Sequence, residues 1–450
     1  MNIVQITPGA GGMYCGNCFR DNALVAELRK LGHQTLMVPL YLPMTLDEEN
    51  QSRGTRTFFG GVNVYLEQKS SLFRHAPEWL RRWLASPGVL QWAAGRAAKT
   101  RAEDVGDITI SMLRGEEGNQ VHELDELIEW MKQQPHPDII CLSNALLVGM
   151  ARKLKEELRS KIVCMLQGED YFLDSLPVAD RERAWRILSD RARAVDLFIA
   201  PSRYFGELMT RRAALPMDKV QVIYNGIHLD GYEAARGVQQ LLDKTRTLDR
   251  PVLGYFARMC REKGLDTLVE AYILLRQRGR IGNLQLRVGG GCGPADEPFV
   301  GSLKERLEAN GILADAEFHP NLGRAAKQEF YRGLTVFSVP ALYGEAFGLY
   351  VIEALASGVP VVQPRVAAFP ELIESTGGGI LCEPHDPRAL ADAIEQLLLE
   401  PARIRALGEA GRQAVRTRFS AESMTRQIAD LYQSLLQRSD RETKAAVGAV

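Results

Sequence analysis

Short apolar segments alternate with longer amphipathic segments along this chain, and no other feature of the sequence constrains the fold as strongly. Residues 2–7 are apolar and end at Pro8-Gly9, residues 20–32 have a helical pattern that ends in glycine, and residues 34–40 are apolar again. A strand, a helix and a second strand in this order form the unit of a doubly wound parallel sheet. The sequence therefore predicts an α/β fold.

The alternation occurs twice, which predicts two Rossmann-like doubly wound domains of similar size. A polar segment, 229–250, has no strand signal and suits an interdomain linker. We therefore expect a first domain at 1–228 and a second at 251–418. Residues 419–450 have a Ser-initiated amphipathic helix pattern followed by a tail that we expect to fray.

Composition excludes several classes of function. The chain has 450 residues and a net charge of −1, so no overall field attracts nucleic acid. Its seven cysteines show no paired framework, which is typical of a reducing compartment. The first residues lack the pattern of a signal peptide, and no apolar run is long enough to span a membrane. We expect a cytoplasmic protein.

The first glycine loop tests whether the ligand is a dinucleotide. Gly9 and Gly11 fit the first two positions of G-x-G-x-x-G, but Tyr14 occupies the third. The corresponding loop of the second domain, 257–264, has no glycine pair. The complete G-x-G-x-x-G motif is thus absent from both loops in which it could bind a dinucleotide, so an NAD-type oxidoreductase is disfavoured.

The second domain has two basic residues where its first strand ends. Arg258 and Lys263 would lie at the carboxyl edge of the sheet, where open α/β sheets bind ligands. Two fixed positive charges there suit a diphosphate and would stabilise a phosphate leaving group. The alternative is a solvated pair near a helix start, since basic residues are mostly exposed.

A glycine-rich loop follows the next strand. Its residues Gly289, Gly290, Gly291 and Gly293 allow the backbone to approach a ligand closely. The alternative is a tight turn with no ligand.

A helix is predicted to begin after Gly348, at the carboxyl end of another strand. The first N–H groups of a helix have no intrahelical acceptor, so they bind anions well. The N–H groups of Phe347, Gly348, Leu349 and Tyr350 would therefore point at an anion or a hydroxylated ligand.

Two glutamates flank this helix start. Glu345 lies in the preceding loop, and Glu353 lies one turn beyond Leu349 on the same helix face. A carboxylate accepts two parallel hydrogen bonds from vicinal hydroxyls. The pattern predicts a nucleoside-diphosphate sugar, with Glu345 on the hexose, Glu353 on the ribose, and the helix N-terminus with the two cations on the phosphates.

The segment EAFGLYVIE resembles the E-x7-E element of the retaining family-four glycosyltransferases of GT-B fold. Other segments resemble further parts of the same family: GHQTLMV, APSRYFGELM, VIYNGI, FARMCREKGLDTLVEA and GGGILCEPHDPRALADAI. The resemblance covers most of the chain and is strongest from about Val195 to Phe419.

The resemblance implies a fold and an activity. Two Rossmann-like domains would face a central cleft, with the acceptor on the 1–228 side and the donor on the 251–418 side. The segment 419–450 would cross back to the first domain. The enzyme would transfer a hexose from a nucleoside-diphosphate sugar to an acceptor hydroxyl by front-face displacement, retaining the anomeric configuration.

The resemblance also assigns roles to residues. Arg258 and Lys263 would stabilise the leaving diphosphate, Glu345 would contact the sugar, and Glu353 would contact the ribose. Gly11 and Gly12 match the family's N-terminal glycine pair, which approaches the diphosphate and the acceptor. No metal and no cofactor are implied, and glycan, lipid-linked and small-metabolite acceptors all stay open. Rival interpretations are a nucleotide-sugar binding protein without transfer activity, and a related enzyme such as a sugar-nucleotide epimerase.

The segment expected to face the acceptor, after the strand at 161–166, differs from the pattern of the family. Many relatives have a histidine after the strand at 161–166, whereas this chain has Gln167, which cannot act as a general base. Glu169 or Asp170 would orient an acceptor, or else help to cap the next helix.

Two further segments have open interpretations. Cys15 and Cys18 have C-x-x-C spacing, which suits a redox pair, half of a zinc site or two small buried residues. Residues 74–101 carry three of the five tryptophans among arginines. This segment would contact a membrane surface peripherally, line the acceptor site or pack against the sheet.

Overall fold

The structure is a computed structural model that describes residues 1–9, 16–42, 44, 46, 48–59, 102–232 and 250–447, without the side chains of 102–105 and 439–447. It divides into two compact units, one formed by 1–224 with 421–450 and the other by 225–420. Each unit contains a six-stranded parallel sheet, which confirms the predicted α/β class. Most of the predicted linker lies outside the described residues.

The N-terminal unit has the strand order β2-β1-β3-β4-β5-β6. Its strands are β1 (Asn2–Thr7), β2 (Gln34–Pro39), β3 (Ile139–Leu142), β4 (Lys161–Met165), β5 (Leu197–Ala200) and β6 (Val220–Val222). Its helices are α1 (Gly16–Lys30), α2 (Ala102–Arg114), α3 (Val121–Lys132), α4 (Ala151–Leu158), α5 (Glu169–Asp174), α6 (Val178–Arg191) and α7 (Arg203–Arg212). Because β1 pairs with both β2 and β3, the strand order reverses at β1.

The inner strands β3 and β5 are apolar and buried along their whole length, as expected where helices cover both faces of a parallel sheet. Ile3 of β1 and Ile139 of β3 are fully buried, and they pack in one core with Leu24 and Leu28 of α1. Such a core makes the carboxyl ends of the strands a rigid base for the loops that follow.

The C-terminal unit has the strand order β12-β11-β10-β7-β8-β9. Its strands are β7 (Val252–Phe256), β8 (Gln285–Gly290), β9 (Ala316–Pro320), β10 (Val336–Phe337), β11 (Val361–Pro364) and β12 (Gly379–Cys382). Its helices are α8 (Leu265–Arg278), α9 (Glu297–Ala309), α10 (Arg324–Arg332), α11 (Leu349–Ala356), α12 (Phe369–Thr376), α13 (Pro387–Leu398) and α14 (Pro401–Arg418).

The centre of this sheet positions the loops that contain the predicted donor-side residues. β7 pairs with β10 on one side and with β8 on the other, all in parallel. The loops that follow these three strands therefore leave the sheet at the same edge. The loop after β7 contains Arg258 and Lys263, the loop after β8 contains Gly291 and Gly293, and the loop after β10 contains Glu345.

The last helix, α15 (Ala421–Val447), belongs to the N-terminal unit. Met424, Ile428 and Tyr432 are buried in the same core as Ile3 and Leu24. An apolar stripe with this spacing explains the docking, since residues three and four apart share one helix face. The helix continues to Val447, into the segment that we expected to fray.

Candidate functional site

An ion pair joins the two loops that the sequence analysis singled out in the C-terminal unit. Lys263 Nζ lies 2.5 Å from Glu345 Oε2, and their side chains are only 19% and 14% exposed. The backbone also connects the loops, because Leu342 N–H donates to the carbonyl of Glu262 at 2.9 Å. The structure therefore brings the predicted phosphate-binding cation and the predicted sugar-binding acid together.

Two tyrosines complete the surroundings of this pair. Tyr350 donates its hydroxyl to Glu345 Oε2 at 2.8 Å. Lys263 Nζ lies 4.8 Å from the ring centroid of Tyr343 and 5.4 Å from that of Tyr350. Burial is the largest single influence and acts to lower the pKa of Lys263, but the charge of Glu345, the neighbouring Tyr343 and the hydrogen bonds to both together outweigh it, so the net pKa is raised. Lys263 is therefore a cation at neutral pH, as a phosphate ligand must be.

Arg258 has a carboxylate partner that the sequence analysis missed. Its Nη2 lies 2.9 Å from Asp296 Oδ1, and its Nε lies 3.2 Å from Oδ2. Hydrogen bonding to Asp296 raises the pKa of Arg258. The Arg258 side chain is 63% exposed, whereas Asp296 is buried. The guanidinium is thus oriented from one side and accessible from the other.

The glycine loop is held against the Arg258 loop. Gly290 has a φ of +121°, and a Cβ at this position would lie 1.9 Å from the carbonyl oxygen of Ala257. Met259 N–H donates to the carbonyl of Gly291 at 2.7 Å, and Gly293 N–H donates to Asp296 Oδ2 at 3.1 Å. Packing alone thus requires glycine at 290, and its predicted contact with a donor stays a prediction.

Helix α11 begins beside the ion pair. Gly348 is the residue before the helix, and Leu349 and Tyr350 form its first turn, where N–H groups have no intrahelical acceptor. The Phe347 side chain is buried, with its ring centroid 6.2 Å from that of Phe419. The helix therefore directs the positive end of its dipole toward the space next to Glu345.

Glu353 lies in a buried polar cluster of the same unit. Its Oε1 accepts hydrogen bonds from Lys327 Nζ at 2.8 Å and from the hydroxyl of Tyr232 at 3.0 Å. Its Oε2 accepts a hydrogen bond from the hydroxyl of Tyr331 at 3.0 Å. No local sequence pattern marks these partners, which lie in the segment 228–232 and in helix α10.

The clusters of Glu345 and Glu353 are joined by aromatic rings. The ring of Tyr350 lies 6.3 Å from that of Phe337, and the ring of Phe337 lies 5.6 Å from that of Tyr331. Tyr350 contacts Glu345 and Tyr331 contacts Glu353. The two acids are therefore parts of one packed region.

The acceptor-side candidates lie in the N-terminal unit. Glu169 is 3% exposed, and its two oxygens accept hydrogen bonds from the N–H groups of Ala145 at 2.7 Å and Gln167 at 2.8 Å. Burial raises the pKa of Glu169 and also that of Asp170. Glu169 thus holds two backbone segments in place, but neither N–H group belongs to α5, so these hydrogen bonds do not cap the next helix. Roles for Gln167, Glu169 and Asp170 toward an acceptor stay predictions.

Several predicted features fall outside the described residues. These are Gly11, Gly12, Cys15 and the segment 74–101. Cys18 is described and is buried in α1. Within the described ranges, no cluster of three or more His, Cys, Asp or Glu side chains is arranged to hold a metal ion. Within the same ranges, no helix has both the length and the apolar character to cross a bilayer.

Two family models match the chain in succession. The model described as Glycosyltransferase Family 4 matches residues 22–230, and the one described as Glycosyl transferases group 1 matches residues 239–414. Together they cover most of both units, including every predicted donor-side residue from Arg258 to Glu353.

Relatives of known name match parts of the chain. A D-inositol 3-phosphate glycosyltransferase of Xylanimonas cellulosilytica is 28% identical over 53% of this chain and 57% of its own length. The lipopolysaccharide core biosynthesis mannosyltransferase LpsB of Rhizobium meliloti is 33% identical over 47% of this chain and 61% of its own length. The chain thus spans less than two thirds of the curated relatives that it matches.

Solved structures match nearly the whole chain. Sucrose-phosphate synthase from Thermosynechococcus elongatus has a TM-score of 0.70 at 20% identity, with 97% of this chain and 99% of that chain covered. Anabaena HepE in complex with UDP and glucose has a TM-score of 0.68 at 16% identity, with 96% and 100% covered. Such low identities show the fold alone, and the fold is the two-domain GT-B architecture.

Proposed function

This chain belongs to the group 1, or family 4, glycosyltransferases, and we propose that it is a hexosyltransferase. It takes the hexose from a nucleoside-diphosphate sugar and attaches it to an acceptor hydroxyl. The transfer retains the anomeric configuration and uses no metal ion.

One observation carries this proposal: the ion pair between Lys263 and Glu345 next to the start of α11. A diphosphate needs cations and free N–H groups, whereas a hexose needs a hydrogen-bond acceptor within one sugar ring of them. Lys263 and the N–H groups of Leu349 and Tyr350 supply the cation and the donors for the diphosphate, and Glu345 supplies the acceptor for the hexose.

The chemistry follows from where charge develops. The bond between C1 of the hexose and the diphosphate oxygen breaks, and the acceptor oxygen bonds to C1 from the same face. The acceptor proton goes to an oxygen of the leaving diphosphate. Arg258 and Lys263 stabilise the negative charge that builds on that diphosphate, which lowers the barrier because the charges are already in place.

Donor binding must rearrange the ion pairs within the C-terminal unit. Lys263 turns part of its hydrogen bonding from Glu345 to a phosphate oxygen, and Glu345 then accepts from hexose hydroxyls. Arg258 keeps its contact with Asp296 while its exposed edge meets the other phosphate. Lys263 thus exchanges part of its contact with a carboxylate for a contact with a phosphate, whereas Arg258 contacts a carboxylate and a phosphate at once. Little charge is therefore left unpaired.

UDP-glucose is the first donor to test, because HepE has been solved with UDP and with UDP-glucose. GDP-mannose is the second, because LpsB is named as a mannosyltransferase. The acceptor is a glycan, a lipid-linked sugar or a small metabolite, and the cytoplasmic location and the peripheral membrane contact through 74–101 stay predictions.

The experiment incubates the protein with UDP-glucose, GDP-mannose and ADP-glucose, with and without EDTA. We expect slow release of free sugar from one donor and transfer when an acceptor is added. The anomeric proton coupling of the product, measured by NMR, should match that of the donor, and EDTA should have no effect. Donor binding without release or transfer would support the rival binding protein, and recovery of an epimeric nucleotide sugar would support the rival epimerase.

A further inference from the structure

Glu353 has too few vacant acceptor positions to bind a ribose in the way we propose. A carboxylate has about four lone-pair positions, two on each oxygen. Lys327 and Tyr232 occupy both positions on Oε1, and Tyr331 occupies one on Oε2. A vicinal diol that donates one hydrogen bond to each oxygen therefore finds a place on Oε2 but none on Oε1.

One of the two donors on Oε1 must leave before the diol can bind in this mode. Lys327 is buried and carries the charge that balances Glu353, so its departure would leave a buried carboxylate without a cation. Tyr232 is neutral, so its departure from Oε1 leaves no charge unpaired. Tyr232 is therefore the donor that a ribose hydroxyl replaces.

The backbone of the segment 228–232 is held independently of the Tyr232 hydroxyl. Gln328 Nε2 donates to the carbonyl of Asp230 at 2.6 Å, and Tyr232 N–H donates to the carbonyl of Leu229 at 3.0 Å. A Cβ at Gly231, which has a φ of +85°, would lie 2.2 Å from Gln328 Oε1. The backbone is thus fixed against α10, while a rotation of the tyrosine side chain frees Oε1.

We propose that Tyr232 sets the ribose selectivity of the donor site by competing with one ribose hydroxyl for Oε1 of Glu353. This inference rests on the proposed function, in which Glu353 binds the donor ribose. The tyrosine keeps the acid hydrogen-bonded when no donor is present and reduces the advantage of a ribonucleotide over a deoxyribonucleotide when one binds.

The test compares wild type with Tyr232→Phe by calorimetric titration of UDP and 2′-deoxy-UDP, with GDP and 2′-deoxy-GDP in parallel. The ribonucleotide needs both oxygens of Glu353, whereas the deoxynucleotide uses only the vacant position on Oε2. Tyr232→Phe should raise the affinity for the ribonucleotide about three- to tenfold, the worth of one hydrogen bond. The affinity for the deoxynucleotide should change less than about twofold.

Tyr331→Phe is the matched control, because it removes a hydroxyl from the other oxygen of the same carboxylate. It leaves Oε1 fully occupied, so it should not increase the preference for the ribonucleotide. Melting temperatures of both variants check that each protein is folded.

The outcomes separate this inference from the proposed function. If Tyr232→Phe lowers the affinity for the ribonucleotide, or changes the affinities for both forms of the nucleotide equally, Tyr232 does not compete with the ribose. The inference then fails while the proposed function stands. If wild type binds none of the four nucleotides, the proposed function fails and this inference fails with it.

Discussion

Replacing Lys263 by methionine should separate the structural role of its ion pair from its catalytic role. At 2.5 Å and an effective dielectric constant of about 20, the attraction between the two charges is roughly 7 kcal/mol before desolvation is counted. Both side chains are mostly buried, so desolvation offsets much of that gain. Loss of the cation leaves Glu345 buried with the neutral Tyr350 hydroxyl as a donor. We expect a loss of about 3 kcal/mol in the free energy of unfolding.

For a unit of this size, about 3 kcal/mol corresponds to a fall in melting temperature of roughly 6–12 °C. The turnover of the folded variant should fall about a hundredfold or more, because the leaving diphosphate loses a charge that stabilises it. The double variant Lys263→Met with Glu345→Gln has no uncompensated carboxylate. It should regain most of the lost melting temperature, but it should not regain turnover.

The assay is a double-mutant cycle in melting temperature and in turnover, measured on the same four proteins. Glu345→Gln alone is the matched control, since it leaves an uncompensated cation instead of an anion. A coupling energy near zero would refute the claim that the two charges stabilise one another. Turnover equal to wild type in the folded Lys263 variant would refute its role in charge stabilisation.

Three further predictions concern the surroundings of the site. Gly290→Ala should destabilise the protein by about 3 kcal/mol or more, because a Cβ there meets the Ala257 carbonyl at 1.9 Å and the φ is +121°; a melting temperature like that of wild type would contradict this. Asp296→Asn should lower turnover roughly tenfold with little change in melting temperature, because Arg258 loses the charged partner that orients it; kinetics and melting curves measure both, and unchanged turnover would argue against the orienting role. Burial raises the pKa of Glu169 in the folded state, so the folded protein binds the carboxyl proton of Glu169 more tightly than the unfolded chain does. The contribution of Glu169 to stability is therefore lost as the pH rises through that raised pKa. The stability of wild type relative to Glu169→Gln should therefore decline between the ordinary carboxyl pKa and neutral pH, as measured by urea unfolding, and a flat difference would be the contrary result.

Local patterns predicted the fold class and the places of three residues that we assign to the donor side. Arg258, Lys263 and Glu345 each follow a strand, and the carboxyl ends of parallel strands meet at one edge of a sheet. Their positions therefore follow from the strand pattern together with the topology rule. The helix start at Leu349 followed in the same way from a glycine before an apolar periodic segment.

The partners of these residues could not be predicted, because they depend on contacts between distant segments. Asp296 meets Arg258 only because β8 pairs with β7 and carries the glycine loop alongside. Tyr232 and Lys327 meet Glu353 through a loop and a helix whose packing no local pattern encodes. An acid near the start of a helix or a lysine within one has no local mark that distinguishes it from a solvated residue.

The contacts of Glu169 show that an acidic residue after a strand need not have the role that its residue type suggests. The sequence offered two interpretations, an acceptor ligand or a capping residue, and both need an acid after a strand. Its hydrogen bonds go instead to the N–H groups of Ala145 and Gln167, which lie outside the helix that Glu169 begins. Only the three-dimensional neighbours of the carboxylate reveal this role.

The central claim is that Lys263 and the start of α11 bind the diphosphate of the donor. The most direct measurement compares the affinities of UDP and uridine, and of GDP and guanosine, for wild type and for Lys263→Ala. We expect the variant to bind the diphosphate at least about tenfold more weakly than wild type and to bind the nucleoside equally well. Equal affinity of both proteins for the diphosphate, or an equal loss of affinity for diphosphate and nucleoside, would show that Lys263 does not bind the diphosphate.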